Sequence, residues 1–218
     1  MMNPSNLEVG GVTYSIGEFD GKSIVYDFQK ILTFLDAKGK SYLGNGFRIY
    51  DEDIEILSKL CNYFIRDEEN CAKYNLDPNK GLLLSGPVGC GKTSLMKLLR
   101  FLVPHQKQYE VISSRNVTFA FNHIGFKTIE DYGNSGFFCF DDLGVEPVGR
   151  FYGKDYNVLG EIFLSRHELL LNFKVKTHAT TNLNAAELEK RYGERVRSRM
   201  RQLFNLIAFD EKARDKRQ

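Results

Sequence analysis

The feature that most constrains this chain is the glycine-rich segment Gly86-Pro87-Val88-Gly89-Cys90-Gly91-Lys92-Thr93, which has the spacing G-x-x-x-x-G-K-T. It follows the apolar run Leu82–Leu84 and precedes a stretch with helical spacing that begins at Ser94. A strand, this loop and a helix in that order form a phosphate-binding element, in which backbone N–H groups and the helix N-terminus surround phosphate oxygens. The alternative is a glycine-rich turn that fits the pattern by chance. The flanking elements favour phosphate binding, so we expect the chain to bind a nucleoside triphosphate.

Two side chains of this loop are predicted to act on the nucleotide directly. The Lys92 ammonium group would reach the β- and γ-phosphates, and the Thr93 hydroxyl would ligate Mg²⁺. No Asn-Lys-x-Asp guanine-reading motif is present, so the predicted cofactors are ATP and Mg²⁺. The predicted nucleotide-binding residues are Gly86, Pro87, Val88, Gly89, Cys90, Gly91, Lys92, Thr93 and Ser94.

Composition sets the broad class. A length of 218 residues suits one α/β domain with a modest extension, and a net charge of +2 means that any basic surface must be local. No apolar run approaches the length of a membrane span, and the first residues lack the pattern of a signal peptide. The four cysteines show no C-x-x-C spacing. We therefore expect a cytoplasmic protein with reduced thiols and no membrane partner.

The chain is predicted to contain an N-terminal extension, residues 1–47, and an ATPase domain, residues 48–218. In the extension, Val12–Ile16 and Ser23–Tyr26 are predicted to form a small hairpin, a helix should begin near Phe28, and the glycines of 39–46 indicate a linker. The extension is a candidate partner-binding segment.

Strands that alternate with helices predict a parallel, doubly wound sheet, with its ligand at the carboxyl ends of the strands. A helix with one apolar face is expected from Asp51 onward, and another around 159–170. The five predicted strands lie around 82–84, 109–112, 137–140, 175–180 and 203–209.

Polar residues close two of these strands. Asp141 and Asp142 follow the third strand, and Asp141 lies 48 positions after Thr93. Asp141 is predicted to hold Mg²⁺ through water, and Asp142 to orient or deprotonate the attacking water, although its side chain is shorter than the usual Glu. Asn182 closes the fourth strand and is a candidate sensor of the γ-phosphate. The alternatives are a loop cap at one aspartate and a chain-turning asparagine.

A basic segment, residues 191–201, completes the candidate catalytic set. Helical spacing puts Arg195 and Arg199 on one face, where an arginine presented to a neighbouring subunit's γ-phosphate would stabilise transition-state charge. The alternative is a solvated basic helix without a catalytic role.

Taken together, these residues resemble the AAA+ ATPases, and more narrowly the DnaC/IstB-like family of helicase loaders and transposase helpers. The resemblance covers roughly residues 51–217. It is carried by the wording Asp141-Asp142-Leu143-Gly144-Val145-Glu146, by Thr180-Thr181-Asn182-Leu183 and by the segment Gly193–Met200. It implies a P-loop NTPase three-layer sandwich with a parallel five-stranded sheet.

The resemblance also implies roles and partners. Arg199 is the arginine finger, supported by Arg195 and acting in trans, so the active species is a homo-oligomer. Residues 210–218 are too few for a helical lid, which fits this branch; Arg214 or Arg217 is a candidate substitute for a sensor arginine. The partner is a replicative helicase or a transposase. A nucleotide-gated switch with little turnover is the alternative from another class.

The family places a DNA-contacting helical insert between the second and third strands. Here that stretch interleaves aromatic and basic residues, with Arg115, Phe119 and Lys127 as candidate contacts to single-stranded DNA. The alternative is that Phe119, Phe121 and Phe126 belong to the core of a short helix.

Overall fold

The structure, a computed structural model, describes residues 4–217 of the chain. These residues form two compact units. The first contains the described residues up to Tyr74 together with Ser94–Gln106, and the second contains Asn75–Thr93 and the residues from Lys107 onward.

The first unit contains two short antiparallel hairpins followed by helices. Its elements are β1 (Asn6–Val9), β2 (Val12–Ser15), β3 (Gly17–Phe19), β4 (Ile24–Tyr26), α1 (Phe28–Leu43), α2 (Ile54–Ile65) and α3 (Glu68–Lys73), with 3₁₀ turns at Asp51–Asp53 and Arg100–Leu102.

The predicted hairpin is wrong in its pairing. Strand β2 pairs with β1, and β4 pairs with β3, instead of β2 pairing with β4. The turn before β2 is formed by Gly10 and Gly11, both with positive φ, which is the backbone of a tight two-residue hairpin turn. The second turn is held by Asp20, whose Oδ1 accepts from the backbone N–H of Lys22 and of Ser23, at 2.8 Å each.

The predicted linker is also shorter than expected. Helix α1 begins where the Asp27 carboxylate accepts hydrogen bonds from Gln29 N and Lys30 N, and it continues to Leu43. Gly39 lies inside this helix and is buried; a Cβ there would collide with the Phe47 ring. A glycine that the sequence suggested as a linker residue therefore makes room for an aromatic contact.

The second unit contains the parallel sheet. Its elements are β5 (Gly81–Ser85), β6 (Glu110–Ser113), α5 (Ser114–Ile124), α6 (Phe126–Gly133), β7 (Phe138–Leu143), β8 (Gly149–Phe151), β9 (Lys154–Tyr156), α7 (Val158–Phe173), β10 (His178–Thr181), α8 (Ala185–Tyr192), α9 (Glu194–Leu203) and β11 (Phe204–Ala208). Helix α4 (Lys92–Leu99), which follows the phosphate loop, begins in this unit.

The predicted fold class is confirmed. The five-stranded sheet has the order β11-β5-β10-β7-β6, and all neighbouring strands are parallel. Its core is built by apolar side chains of the central strands and of α5, α7, α8 and α9, and Phe140, Phe163 and Leu203 are fully buried. Strands β5, β10 and β7 are interior to the sheet, which explains the apolar runs Leu82–Leu84 in β5 and Phe138–Phe140 in β7.

Parallel pairing brings the carboxyl ends of the strands to one edge of the sheet. There β5 leads into the phosphate loop, β7 contains the two aspartates, and β10 is followed by Asn182. Since β10 lies between β5 and β7, the fold alone places the three predicted functional segments side by side.

A buried histidine makes the stability of this sheet depend on pH. His178 Nδ1 accepts a hydrogen bond from Leu82 N at 3.1 Å, and its ring packs on Tyr109 with the ring centroids 4.8 Å apart. Burial, with smaller contributions from the positive charges of Lys176 and Arg166, lowers the pKa of His178 from 6.5 to about 3. Below pH 6.5 the unfolded chain therefore gains a proton that the folded chain does not take up.

We expect the free energy of unfolding to fall as the pH drops from 6.5 towards 3. From about pH 7 to about pH 5, His178 alone should account for a loss of about 2 kcal/mol. His178→Gln retains an acceptor for Leu82 N but does not titrate, so its stability should change less over this range. Urea unfolding of both proteins at each pH measures the difference; parallel pH dependences would contradict this role.

Candidate nucleotide site

The phosphate loop is attached to the end of strand β10. Gly86 N donates to Thr181 O at 3.3 Å, and Ser85 Oγ donates to Leu183 O at 3.1 Å. Gly89 and Gly91 have positive φ angles of 80° and 104°, a backbone that glycine adopts without strain. The predicted loop–helix geometry is present, with the helix beginning at Lys92.

The Lys92 ammonium group lies inside the loop, and the residue is only 4% exposed. Its Nζ donates to Gly86 O at 2.8 Å, to Pro87 O at 2.7 Å and to Asn182 Oδ1 at 2.7 Å. The structure thus brings the predicted sensor Asn182 into direct contact with the predicted phosphate-binding lysine. A positive charge and an amide group meet at the carboxyl edge of the sheet, where they can act on one anionic group.

A hydroxyl–carboxylate–hydroxyl junction lies next to this lysine. Thr93 Oγ1 and Thr180 Oγ1 both donate to Asp141 Oδ1, each at 2.7 Å. A threonine hydroxyl and a carboxylate at this separation suit Mg²⁺, which takes one or two protein oxygens and completes its shell with phosphate and water. Across the described residues there is no cluster of three or more His, Cys, Asp or Glu that would hold a metal without a nucleotide.

The sequence suggested that the two aspartates follow the third strand, but in the structure they lie within strand β7. Phe140 pairs with Ala179 and Leu143 pairs with Thr181, so Asp141 and Asp142 together oppose the single residue Thr180. This is a β-bulge, and Asp142 has a φ of +55°, in the left-handed region. The bulge re-aims the second carboxylate beside the first, an arrangement that a regular strand with alternating side chains would not give.

Asp142 is a half-buried carboxylate in a mixed electrostatic environment. Burial and the neighbouring charge of Asp141 raise its pKa, whereas the positive charges of Lys92 and Arg217 act in the opposite direction. Its backbone N–H donates to Thr180 Oγ1 at 2.9 Å, which holds the left-handed residue in place. The pKa of the Asp142 carboxylate is raised, and the carboxylate lies near the lysine that is predicted to bind phosphate. Such a group is suited to accept a proton.

The two predicted finger arginines lie on helix α9. Arg195 is exposed and Arg199 is half-buried, and within residues 4–217 neither has a hydrogen bond or ion pair. Arg197, on the same helix, is buried instead, with only 9% of the residue exposed. The structure therefore does not bring Arg195 or Arg199 to the chain's own phosphate loop through any such contact, and the alternative of a solvated basic helix stays open.

Glu146 links the segment after the aspartates to the segment before α9. Its carboxylate accepts from Gly144 N at 2.7 Å and from Tyr192 Oη at 2.7 Å, and it lies 3.5 Å from the Arg191 guanidinium group. Burial and the charge of Glu146 raise the pKa of Tyr192, so its hydroxyl remains a donor. The loop after β7 is thus connected to the end of α8, the helix that precedes α9, through one buried carboxylate.

The candidate DNA-contacting residues divide into two groups. Phe121 is fully buried and therefore belongs to the core, which was the alternative to DNA contact. Phe119 and Phe126 are 39% and 50% exposed. The Arg115 guanidinium group lies 5.1 Å from the Phe119 ring centroid, and Lys127 pairs with Asp131 at 2.6 Å. Exposed aromatic rings are therefore present on α5 and α6, with Arg115 beside Phe119, whereas the charge of Lys127 is paired with Asp131.

Three functional contributions were missed from sequence. Thr180 binds both aspartates, Glu146 connects the loop after β7 to α8, and Lys216 contacts the phosphate loop. A signal for the first existed, since Thr180 precedes Asn182 by two positions in a strand expected to lie beside the aspartates. No sequence pattern indicated the other two contacts.

No protein-family model matches the sequence, and no curated protein matches it. Solved structures do. The DnaC helicase loader gives a TM-score of 0.53 at 20% identity over 75% of this chain and 93% of its own. A putative primosome component from Streptococcus pyogenes serotype M3 gives 0.54 at 19% identity, over 76% and 83% of the two chains. AMPPCP-bound DnaA from Aquifex aeolicus gives 0.50 at 16% identity over 75% of this chain and 48% of its own.

At these identities the likeness establishes the fold. Within the described residues, no helix is long and apolar enough to cross a membrane.

Loss of the Thr180 hydroxyl should destabilise the junction. In Thr180→Val the buried side chain keeps its shape, but Asp141 loses a donor and Asp142 N loses its acceptor. We expect the free energy of unfolding to fall by about 1–3 kcal/mol, measured by chemical denaturation. Thr180→Ser retains the hydroxyl and should lose less; equal losses in both variants would mean that packing, and not hydrogen bonding, explains the effect.

The comparisons agree with the motif-based resemblance as far as the fold: this chain has the same fold as the solved DnaC helicase loader and as AMPPCP-bound DnaA.

Proposed function

We propose that this chain is an ATP-hydrolysing adaptor of the helicase-loader type, which assembles as a homo-oligomer on single-stranded DNA. The observation that carries the proposal is the meeting of two hydrogen-bonded pairs at one edge of the sheet, Lys92 with Asn182 and Thr93 with Asp141. Their chemistry matches what phosphoryl transfer needs, namely a cation, a Mg²⁺-binding oxygen pair and a polar group for the terminal phosphate.

Each residue then has a separable task. Lys92 exchanges its contacts with Gly86 O and Pro87 O for phosphate oxygens, while Asn182, already bonded to its ammonium group, contacts the terminal phosphate. Thr93 and Asp141 would hold Mg²⁺, which neutralises charge on the phosphates when bound. Asp142 orients the attacking water and accepts its proton. ATP binding is supported in fold by the likeness to a DnaA structure that holds AMPPCP.

The proposed assembly follows from the arginines of α9. Arg195 is exposed, Arg199 is half-exposed, and both are unpaired within the described chain, so they are available to a neighbouring subunit's nucleotide. A guanidinium group supplied in trans makes hydrolysis depend on assembly. Glu146, which bonds Gly144 N after β7 and Tyr192 at the end of α8, would then transmit changes at β7 to the segment that leads into α9.

The proposed partners are a replicative helicase and single-stranded DNA. The helicase is suggested by the likeness to the DnaC helicase loader and to a putative primosome component. DNA binding is supported by the exposed rings of Phe119 and Phe126, on which bases can stack, beside Arg115 and Lys127. A preference for duplex over single-stranded DNA would instead favour a transposition helper.

Lys92→Ala should abolish nucleotide binding, because the phosphates lose their positive partner. Asp142→Asn should bind ATP with little change but hydrolyse it about a hundredfold or more slowly, since the amide cannot accept a proton. Equilibrium binding of a fluorescent ATP analogue and steady-state phosphate release separate the two effects. Normal turnover by Asp142→Asn would remove that residue from the mechanism.

Arg199→Ala should bind ATP normally and lose about a thousandfold in turnover. Mixing it with Lys92→Ala, whose own site is dead but whose finger is intact, should restore part of the activity. Arg201→Ala is the matched control, since it removes an exposed charge from the same helix. Wild-type turnover by Arg199→Ala, or no recovery in the mixture, would contradict a finger that acts in trans.

A further inference from the structure

The C-terminal segment after β11, residues 209–217, returns to the phosphate loop. Phe209 N donates to Ser85 O at 2.7 Å, immediately before the loop, and Lys216 N donates to Gly89 O at 3.0 Å, within it. The segment is ordered locally by Asp215, whose Oδ1 accepts from Arg217 N at 3.0 Å. These contacts connect two regions that are more than a hundred residues apart in sequence.

Lys216 binds two successive carbonyl groups of the loop. Its backbone N–H donates to Gly89 O at 3.0 Å, and its ammonium group donates to Cys90 O at 2.8 Å. The Asp215 carboxylate lies against Gly89, where a Cβ would collide with it, so only glycine permits this approach. The chain thus contacts the loop with both the main chain and the side chain of a single residue.

Fixing these carbonyls also fixes two amide N–H groups. In a planar trans peptide the C=O of one residue and the N–H of the next point in opposite directions. No cis peptide bond occurs among the described residues. Because Lys216 holds Gly89 O and Cys90 O, the N–H groups of Cys90 and Gly91 must point away from Lys216. Phosphate loops bind their ligand with such N–H groups.

We propose that Lys216 is a positioning residue for nucleotide binding, which orients two amide N–H groups of the phosphate loop from the outside. The inference rests on the proposed function for its ligand, an Mg²⁺–nucleoside triphosphate, but the orientation of the loop is a property of the free protein. Orienting these donors before binding lowers the cost of ordering the loop around phosphate.

The alternative role for this segment is to block the phosphate loop, and it predicts the opposite change in nucleotide affinity when the anchor is removed. A segment that blocked the loop would have to be displaced by nucleotide, so removing its anchor would increase affinity. A bracing segment stays in place, and removing its anchor decreases affinity. The direction of the change in the dissociation constant therefore decides between the two.

The first test measures nucleotide affinity in Lys216→Met, which retains the backbone N–H but loses the ammonium group. We expect the dissociation constant for a fluorescent ATP analogue with Mg²⁺ to rise about five- to tenfold, with less than about a twofold change in kcat at saturation. Lys216→Arg should recover most of the affinity. Lys212→Met, an exposed lysine of the same segment, should bind like wild type. Unchanged or tighter binding by Lys216→Met would overturn the proposal.

The second test needs no nucleotide. Cys90 is fully buried in the loop segment that Lys216 holds, whereas Cys61, Cys71 and Cys139 are buried elsewhere and serve as internal references. In Lys216→Met the rate of Cys90 alkylation, followed by peptide mass spectrometry, should rise several-fold relative to wild type and Lys212→Met. An unchanged rate would overturn the proposal even if wild type bound ATP; failure of wild type to bind ATP would instead overturn the proposed function.

Discussion

The hydrogen-bonded junction of Thr93, Asp141 and Thr180 is the interaction on which the rest of the site depends. It connects the helix after the phosphate loop to two neighbouring strands, β7 and β10. One oxygen of the Asp141 carboxylate accepts hydrogen bonds from both threonine hydroxyl groups, each at 2.7 Å. These groups are partly or fully buried, so leaving any one of them without a partner would carry a desolvation cost. The junction therefore fixes the relative positions of the groups proposed to bind Mg²⁺ before any ligand arrives.

The bulge in β7 is the second constraint, and it depends on the first. A left-handed Asp142 is costly for a non-glycine residue, and the Thr180 hydroxyl offsets this cost by accepting its backbone N–H. Two consecutive carboxylates can therefore serve one site, Asp141 in the proposed binding of the metal and Asp142 in the proposed activation of the water. Thr180 thus supports the backbone of one aspartate and the side chain of the other.

Much of the fold was predictable from sequence because its signals are local. The apolar strand before Gly86, the apolar run before Asp141 and the helical spacing of residues 159–170 each depend on neighbours in the chain. The meeting of the predicted functional segments at one edge of the sheet then follows from the rule that parallel strands bind ligands at their carboxyl ends. The strand order, in which β10 lies between β5 and β7, was not predicted from the sequence. The pairing of β2 with β1 was missed because Gly10 and Gly11 offered a closer turn than the one considered. The bulge was missed because it depends on the pairing register between β7 and β10, and the sequence of one strand alone does not specify that register.

The remaining contacts could not be predicted for the same physical reason. Glu146 with Tyr192, and Lys216 with Cys90, join residues 46 and 126 positions apart, and neither pair has a periodicity or motif that would select it. They arise from the way that loops close over the edge of the sheet. The first connects the loop after β7 to α8, and the second connects the phosphate loop to the C-terminal segment. We therefore propose roles in communication and positioning for them, and not in the chemistry.

The proposed function requires that assembly on DNA complete the nucleotide site. ATP turnover per subunit over a wide range of protein concentration, with and without single-stranded DNA, tests this requirement. If a trans arginine completes the site, the specific rate rises with concentration and rises further with DNA. A flat, low rate that does not respond to DNA would contradict it and would indicate a nucleotide-gated switch.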